Sequence, residues 1–440
     1  MAHSKATNTE PVLVLGAGLT GLSAGLELTR RGVAHRVYER LAVPGGHAVT
    51  TLDEGYRFDR TGHLLHLRDA ALRAEVLDWL DGDCREIARQ SVVYSNGVYT
   101  RYPFQANTFG LPPAVAHECV LGFVRAHFAK DASEPKNFEE FCLRHFGPGI
   151  TRHFMVPYNA RLWGVEPSEI TSDWCQRFVP LPKLEDVIAG AVGLNAHELG
   201  YNQRFLYPRL GIGELPRAMH RRLGTVSLGR APRRIELGAR VADFGDERVP
   251  FEVLLSTIPL PALIDLCDEV PPEVRAARSA LRATHLYYLD LALETPPRTS
   301  FHWAYVPEAK YPFYRVGCYS HFSPDLAPPG GGSLYVELAS RSEPVLEQVL
   351  PSVSAGLLEM GVIERAEQIR FARVRRIDPA YVVFDHAYYG ALSAIRPFLE
   401  EARIISTGRY GGWQYGSMED ALLEGRAGAA RASAWLERAP

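Results

Sequence analysis

The chain lacks several features that would mark a simple class of protein. Its six cysteines are scattered and form no C-x-x-C pair, which argues against a zinc site and a disulfide framework. No run of 18 apolar residues occurs and the first ten residues are polar, so we expect no membrane span and no signal peptide. A net charge of −3 argues against general nucleic-acid binding. These absences predict a soluble, cytoplasmic protein, and its 440 residues suggest two or three structural units.

The clearest positive signal is a dinucleotide-binding pattern near the start. A buried-strand run, Val12 to Leu15, leads into G-x-G-x-x-G at Gly16, Gly18 and Gly21, and a helical pattern follows. The first glycine allows a tight turn, the second lets the backbone approach a pyrophosphate, and the third lets the helix pack on the strand. A second strand ends at Glu39, close to the spacing expected for an acid that binds a ribose hydroxyl.

The segment after this acid indicates which dinucleotide binds. Gly45 and Gly46 form a second glycine turn, and a short hairpin over Val49 to Phe58 then leads to Gly62 and His63. This continuation resembles the FAD-binding oxidoreductases of the amine oxidase type. The resemblance implies that FAD is the cofactor, and that the late segments "FEVLLSTIPLPAL" and "RIISTGRYGGWQYGSMEDALLEG" return to it.

The stretch "RYPFQANTF" combines aromatic rings with amides. It is a poor strand, because its proline removes a ladder donor, and it is too aromatic for a plain surface loop. Taken alone, its rings either plug a core or stack on a flat heteroaromatic ligand such as a nucleobase.

Further motifs resemble UDP-galactopyranose mutase of the eukaryotic type. They include "YPFQ", "HFMVPYNARLWG" and "GYNQRFLYPRLGIGELP", and the resemblance runs from about residue 11 to 435. It implies an aromatic pocket for a uracil nucleotide, in which rings stack on the base and amides read its edge. The matching positions are Tyr102, Phe104, Gln105, Phe154, Met155, Asn159 and Trp163. A helical core stripe is the alternative for Phe154, Met155 and Trp163.

The resemblance also implies a site for the diphosphate. Arginine matches phosphate oxygens with parallel hydrogen bonds, and Arg177 and Arg315 stand in family-like contexts, although either could be a solvated surface charge. The resemblance also implies a phosphate-binding tyrosine at Tyr305, a polar residue of a second flap at Asn202, and two diphosphate-binding tyrosines at Tyr381 and Tyr415. It further implies that Arg409 lies close to FAD and that His63 is the histidine of a loop beside flavin N5. His66 is interpreted as structural.

Two departures from the family pattern bear on this assignment. The paired glycines before the histidine are here Thr61 and Gly62, which predicts a stiffer loop. Met418, Glu419 and Asp420 replace family amides, and an acid near a diphosphate would repel it unless it faces elsewhere. The segment around them also resembles a broader bacterial group of amine or porphyrinogen oxidases.

The implied reaction interconverts the pyranose and furanose forms of a UDP-galactose-like sugar, with N5 of the reduced flavin attacking the anomeric carbon. NAD(P)H or another reductant would reduce the flavin, and assembly into a homo-oligomer is left open. No side-chain nucleophile motif occurs, as this chemistry permits. The alternatives are an FAD-dependent oxidase or desaturase of the amine oxidase or protoporphyrinogen oxidase type, and a non-catalytic nucleotide-sugar binding protein.

The expected fold is α/β, with a Rossmann-like FAD-binding domain, an inserted helical domain and an antiparallel β-sheet substrate domain. The boundaries predicted are 9–104 with 203–270 and 385–440 for FAD, 105–202 for the helical domain, and 271–384 for the sheet domain. In the last, "ATHLYYLDLALE", "FYRVGCYS" and "GSLYVELAS" read as strands.

Overall fold

A computed structural model describes residues 11–129, 133–175, 179–194, 203–224 and 226–438. The strands are β1 (Val12–Leu15), β2 (His35–Tyr38), β3 (Thr50–Asp53), β4 (Tyr56–Asp59), β5 (Cys84–Ala88), β6 (Ser91–Ser95), β7 (Val98–Arg101), β8 (Arg204–Pro208), β9 (Val226–Ser227), β10 (Arg234–Glu236), β11 (Val241–Asp243), β12 (Arg248–Pro250), β13 (Val253–Ser256), β14 (Ala283–Leu293), β15 (Trp303–Tyr305), β16 (Phe313–Cys318), β17 (Gly332–Leu338), β18 (Ile369–Val382) and β19 (Ile404–Ser406).

The helices alternate with these strands in the first and last parts of the chain and cluster in its middle. They are α1 (Leu19–Arg30), α2 (Ala70–Trp79), α3 (Pro113–Phe128), α4 (Phe138–Ile150), α5 (Val156–Trp163), α6 (Leu184–Ala191), α7 (Glu214–Leu223), α8 (Leu260–Leu266), α9 (Pro272–Ala280), α10 (Tyr319–Phe322), α11 (Leu346–Glu359), α12 (Tyr388–Glu401), α13 (Gly408–Gly411) and α14 (Met418–Glu437). The α/β class predicted from the sequence is confirmed.

A parallel sheet joins the two ends of the chain. Its strand order is β19-β13-β1-β2-β9, so the late strand β13 pairs with β1 and the last strand, β19, pairs with β13. Every residue of β1 and β13 is buried, as expected for a parallel sheet covered on both faces. The two late segments therefore share a sheet with the first strand, and their return to the cofactor stays a prediction.

A second, larger sheet carries the other half of the site. Its order is β18-β14-β17-β16-β15-β6-β7, and its pairs are antiparallel except for β6 with β15. The three strands predicted from "ATHLYYLDLALE", "FYRVGCYS" and "GSLYVELAS" are its β14, β16 and β17. The early strands β6 and β7 also belong to this sheet, whereas the domain boundaries themselves stay a prediction.

The middle helices pack closely because glycines let their backbones meet. A Cβ on Gly149 would lie 2.5 Å from the carbonyl oxygen of Glu118, and one on Gly147 would lie 2.2 Å from that of Gly122. Arg161 of α5 fastens this region to the second sheet, since its guanidinium donates to the carbonyls of Val306 and Phe313 at 3.1 and 2.9 Å. The aromatic rings of α5 are thereby held against β15 and β16.

Candidate functional site

The glycine turn after β1 has the geometry that a pyrophosphate cradle requires. Gly16 has a φ of +98°, and its N–H donates to the Tyr38 carbonyl at 2.8 Å. A Cβ on Gly21 would lie 1.8 Å from the Gly16 carbonyl oxygen, so no side chain fits there. Gly18 immediately precedes α1, whose N-terminus faces the turn with the partial positive charge that favours an anion.

The second glycine turn lies directly against the first. Gly45 and Gly46 have φ values of +122° and +61°, and the Gly45 N–H donates to the Ala17 carbonyl at 2.8 Å. A Cβ on Gly18 would have only the Cα of Gly46 as a neighbour, at 3.9 Å. Glu39 sits beside both turns and accepts from the Ala17 N–H at 2.8 Å. These residues fit the dinucleotide end of a flavin, because open backbone and one acid meet in a single cradle.

The histidine loop, residues 60–63, follows β4 and is anchored below by Asp59. The buried Asp59 carboxylate accepts from the hydroxyls of Thr50 and Tyr207 at 2.6 and 2.5 Å. Burial raises the pKa of Asp59 to about 6, and these hydrogen bonds oppose that rise. The Thr61 N–H donates to the Tyr319 hydroxyl at 3.1 Å, and that hydroxyl donates to the Asp59 carbonyl at 2.6 Å.

Both residues before the histidine are constrained. Thr61 has a φ of +62°, a left-handed conformation that glycine adopts freely and threonine adopts at a cost of about 1–2 kcal/mol. A Cβ on Gly62 would lie 2.6 Å from the Tyr335 hydroxyl. The stiffer loop predicted from Thr61 thus has a physical basis, although its mobility stays a prediction.

His63 is neutral at physiological pH. Burial lowers its pKa to about 4, and the positive charge of Arg409 adds to the effect. Its Nδ1 atom is buried and has no hydrogen-bond partner among the described residues. This ring nitrogen is therefore available to a ligand. His66, by contrast, has its Nδ1 3.0 Å from the Arg204 carbonyl oxygen, which agrees with a structural role.

Arg409 lies within a group of tyrosine rings. Its guanidinium carbon is 4.6 Å from the ring centre of Tyr415 and 5.7 Å from that of Tyr381. The two rings are nearly parallel, with centres 6.4 Å apart. Two carbonyl oxygens orient the guanidinium, those of Gly416 at 2.9 Å and Ala380 at 3.1 Å. Arg409, Tyr381 and Tyr415, singled out separately in the sequence, thus come together.

Arg315 extends this group on the side of the second sheet. Its Nη2 donates to the Tyr381 hydroxyl at 3.3 Å, and its guanidinium carbon is 5.7 Å from the ring centre of Tyr305. Glu337, fully buried on the neighbouring strand β17, lies 3.2 Å from the same nitrogen. Burial lowers the pKa of Arg315, but Glu337 and the nearby tyrosines outweigh that and keep the arginine charged. Burial also raises the pKa of Glu337, against the attraction of Arg315.

Three rings predicted for the base pocket, those of Tyr102, Phe104 and Phe154, form a series of ring contacts with Tyr158 and Tyr305. Phe104 stacks on Phe154 with centres 5.0 Å apart, and Phe154 stacks on Tyr158 at 5.3 Å. Tyr102 stacks on Tyr305 at 4.7 Å, and the edge of Tyr158 contacts the same Tyr305 ring at 5.2 Å. Phe104 and Phe154 are buried and belong to the core, whereas Tyr305 lies next to Arg315 and Tyr102 lies on the Tyr305 ring. The binding roles stay a prediction.

The remaining pocket residues are held by local bonds. The buried Gln105 donates from Nε2 to the Pro180 carbonyl at 2.9 Å, while its Oε1 lacks a partner among the described residues. Asn159 donates from Nδ2 to the carbonyl of the buried Met155 at 2.7 Å. Trp163 joins this region to the tyrosines around Arg409, because the centre of its ring lies 5.4 Å from that of Tyr381.

Glu419 and Asp420, which replace family amides, both have hydrogen-bonded carboxylates. Glu419 is 2% exposed and accepts from the Asp69 N–H at 2.8 Å and from Nε of Arg68 at 3.0 Å. Asp420 forms a capping box with Ser417, accepting from the Ser417 N–H at 2.7 Å at the start of α14. Met418 packs against the apolar side of the first sheet. Both carboxylates are therefore held by local hydrogen bonds rather than left unpaired.

Two predicted site residues, Arg177 and Asn202, lie outside the described residues. Over the described ranges, no cluster of three or more histidine, cysteine or acidic side chains is arranged to hold a metal ion. Within the same ranges, no helix combines the length and apolar character needed to cross a membrane.

The sequence reasoning missed Glu337, Tyr158, His47 and Arg60. Glu337 had a visible signal, because a carboxylate inside the apolar strand "SLYVEL" needs a buried partner. Arg315 is that partner only through the register of β16 and β17, which pairs the two residues directly. His47 and Arg60 had no signal beyond their positions next to the second glycine turn and the histidine.

Comparison with known proteins adds a family and a fold. The model of the family described as "Flavin containing amine oxidoreductase" matches residues 19–433. A protein named "Probable UDP-galactopyranose mutase" from Klebsiella pneumoniae is 24% identical over 177 residues, which are 39% of this chain and 45% of that protein. A phytoene desaturase from Cereibacter sphaeroides is 41% identical over 56 residues, 13% of this chain and 11% of that protein. The matched segments thus span less than half of either relative.

Solved structures match over nearly the whole chain. The crystal structure of a reduced UDP-galactopyranose mutase superposes with a TM-score of 0.91 at 27% identity, covering 97% of this chain and 96% of that one. A cyclohexylamine oxidase from Brevibacterium oxydans superposes with a TM-score of 0.70 at 14% identity, covering 98% and 100%. At that identity the second likeness concerns the fold alone.

Proposed function

The chain belongs to the flavin containing amine oxidoreductase family, and from that premise we propose that it is a mutase that interconverts the pyranose and furanose forms of a UDP-sugar. The observation that carries the proposal is the row of charged and phenolic groups that runs from Arg315 through Tyr381 to Arg409. Two arginines and a shared tyrosine make a site for a diphosphate, which an oxidase of amines or carotenoids does not require. The likeness to a reduced UDP-galactopyranose mutase supports this choice.

We propose that reduced FAD is the active cofactor. Once bound, it supplies the nucleophile for the anomeric carbon of the sugar. The residues proposed to hold it are Gly16, Gly18, Gly21, Glu39, Gly45, Gly46, Gly62, His63 and Arg409. Because His63 is neutral, it contributes hydrogen-bonding capacity and no positive charge of its own.

The side chains of the second sheet are proposed to keep the nucleoside diphosphate in place while it is detached and recaptured. Arg315 and Tyr381 bind its oxygens, and Tyr305 and Tyr415 complete the wall. Held charges of this kind lower a barrier because they need no reorganisation when negative charge develops on the leaving group. Arg177 and Asn202 are proposed to close over the sugar and exclude water.

We propose that uridine binds along the aromatic stack. Tyr305 lies next to Arg315 and Tyr102 stacks on it, so these two rings are proposed to contact the base, while the Gln105 carbonyl oxygen offers an acceptor to an N–H of the base. The pocket is shaped from behind by Phe104, Phe154, Met155, Asn159 and Trp163.

NAD(P)H or another reductant is proposed to reduce the flavin, and the cytoplasm is the proposed location.

The second candidate is an FAD-dependent oxidase or desaturase. The family match and the short match to a phytoene desaturase favour it. It predicts oxygen or quinone consumption with an apolar or amine substrate, and no use for Arg315. A non-catalytic sugar-nucleotide binding protein would bind UDP-sugars and release them unchanged.

The test is turnover of UDP-galactose by the purified holoprotein. The flavin is reduced with dithionite without air, and products are separated by chromatography and identified by mass spectrometry. We expect UDP-galactofuranose from the reduced protein and none from the oxidised control. UDP binding without this product would exclude galactose and keep the nucleotide. If the protein neither binds UDP nor forms this product, the proposal is contradicted and the oxidase is favoured.

A further inference from the structure

His47 and Arg60 connect the two loops that meet on the flavin side of the site. His47 directly follows the second glycine turn, and Arg60 opens the histidine loop. Nη1 of Arg60 donates to Nδ1 of His47 at 3.2 Å and to the Gly46 carbonyl at 3.3 Å. One guanidinium nitrogen therefore joins two segments that β3 and β4 separate along the chain.

The His47 ring extends this connection to the diphosphate side. Its edge contacts the ring of Tyr410, with centres 5.2 Å apart and planes at 85°. The Tyr410 hydroxyl donates to the Ala380 carbonyl at 3.1 Å, and Nη2 of Arg409 donates to the same oxygen at 3.1 Å. Ala380 immediately precedes Tyr381, so the path from Arg60 ends at the proposed diphosphate ligand.

The charge states fix the direction of the central bond. A guanidinium group has N–H donors and no acceptor, so Arg60 is the donor. Burial lowers the pKa of His47 to about 3, with further lowering by His63, Arg60 and Arg409. The neutral ring keeps Nδ1 as an acceptor for Arg60.

The backbone of the histidine loop is strained, so contacts from both sides are needed to hold it in place. Thr61 holds a left-handed backbone that its side chain disfavours, and Tyr319 fastens the loop from the side of the second sheet. Arg60 and His47 fasten it from the side of the glycine turns. A loop held from both sides keeps His63 at a set distance from whatever occupies the cradle.

We propose that Arg60 and His47 form a clasp that holds the histidine loop against the second glycine turn, and that both are positioning residues for the bound flavin. The effect on turnover rests on the proposed mutase reaction, whereas the effect on the flavin does not. Releasing the clasp lets His63 leave its place, which changes the environment of the flavin without removing any group that holds its pyrophosphate.

The experiment compares four single variants of the holoprotein, the double variant Arg60→Met with His47→Leu, and one control variant. Arg60→Met and His47→Leu break the bond, whereas Arg60→Lys retains a donor and His47→Asn retains an acceptor near the position of Nδ1. Arg240→Met, an exposed arginine paired with Glu252 at 3.1 Å, is the matched control. For each we would measure the flavin absorption spectrum, the reduction potential, the melting temperature, and kcat and KM.

Arg60→Met and His47→Leu are expected to shift the flavin band and potential in the same direction, and the double variant no further than either single one. kcat should fall about tenfold, since misplacement of a positioned group acts mainly on kcat, with KM little changed. Arg60→Lys and His47→Asn should recover most of both effects, and Arg240→Met should change neither.

Lower melting temperatures with an unchanged flavin spectrum and potential would reduce the clasp to a structural contact and overturn the proposal. So would additive effects of the two broken variants. If the wild-type protein makes no UDP-galactofuranose, the proposed function fails, but the spectrum and potential still decide the clasp. The two conservative variants keep the test valid if the broken ones fold poorly.

Discussion

The two sides of the proposed site differ in whether backbone or side-chain groups line them. The proposed flavin side is mainly backbone, with glycine turns at residues 16–21 and 45–46 lying against each other. The proposed diphosphate side is mainly side chains, with Arg315, Tyr381 and Arg409 brought together from β16, β18 and α13. A ligand that contacts backbone demands the absence of side chains, whereas one that contacts charge demands particular side chains. The two sides should therefore fail in different ways when mutated.

The largest expected effect is on the flavin side. Gly21→Ala places a methyl group 1.8 Å from a backbone oxygen that cannot move aside. We expect the free energy of unfolding to fall by about 3 kcal/mol or more and FAD to be lost. Chemical denaturation and the flavin content after purification measure both. The control is Gly238→Ala, where an added Cβ has nothing within 4 Å. Equal behaviour of the two variants would refute the account of the cradle.

On the diphosphate side, Arg315→Met should separate stability from activity. Removing one partner of the buried pair leaves Glu337 uncompensated, which costs about 3–5 kcal/mol. The loss of a charged phosphate contact should also lower kcat/KM by about 100-fold or more. The double variant Arg315→Met with Glu337→Leu should regain much of the stability and none of the activity. Denaturation curves and steady-state kinetics test this, and recovery of activity in the double variant would contradict the role of Arg315.

A pH titration of stability should distinguish neutral His63 from an ordinary histidine. Its folded pKa of about 4 lies below its ordinary value of 6.5, so the unfolded chain takes up a proton first as the pH falls. Relative to His63→Asn, the wild-type protein should lose up to about 3 kcal/mol between pH 6.5 and pH 4. Denaturation at several pH values measures the difference, and parallel curves for the two proteins would contradict a neutral, buried His63.

The carboxyl group of Asp59, which lies in the same region, should give stability the opposite dependence on pH. Its folded pKa of about 6 exceeds its ordinary value of 3.8, so its contribution is present at low pH and is lost as the pH rises through 6. Asp59→Asn should therefore flatten a fall in stability between pH 4 and pH 6, where His63→Asn flattens a rise. Changes of the same sign in both variants would mean that one of the two ionisation assignments is wrong.

The smallest effect is expected for Thr61→Gly. The substitution relieves the left-handed strain but adds freedom to the unfolded chain, and the two terms of about 1 kcal/mol each oppose one another. Stability should change by less than about 1 kcal/mol, while hydrogen exchange of the loop amides should become faster. A loss of several kcal/mol would show that the Thr61 side chain has a packing role.

Features that depend on local spacing could be predicted from the sequence. Gly16, Gly18, Gly21 and Glu39 lie within one strand–turn–helix–strand unit, and its dihedral angles and close contacts follow from the order of residues. The sequence singled out Tyr102, Phe104, Phe154 and Tyr305, but not which of these rings stack on one another. Whether Phe104 faces a ligand or the core depends on Phe154, which is distant in the chain, and the structure places Phe104 in the core.

By itself, the sequence determined the α/β class, the cradle and the identity of the charged residues, because hydrophobic runs and glycine spacing act over a few residues. Only the tertiary structure decided which charges meet. Arg315 faces Glu337 because of strand register, Glu419 turns to the start of α2 rather than to a ligand, and Arg60 reaches His47 because β3 and β4 form a hairpin. Burial then set the ionisation of His47, His63 and Asp59, since the cost of desolvating a charge depends on everything packed around it.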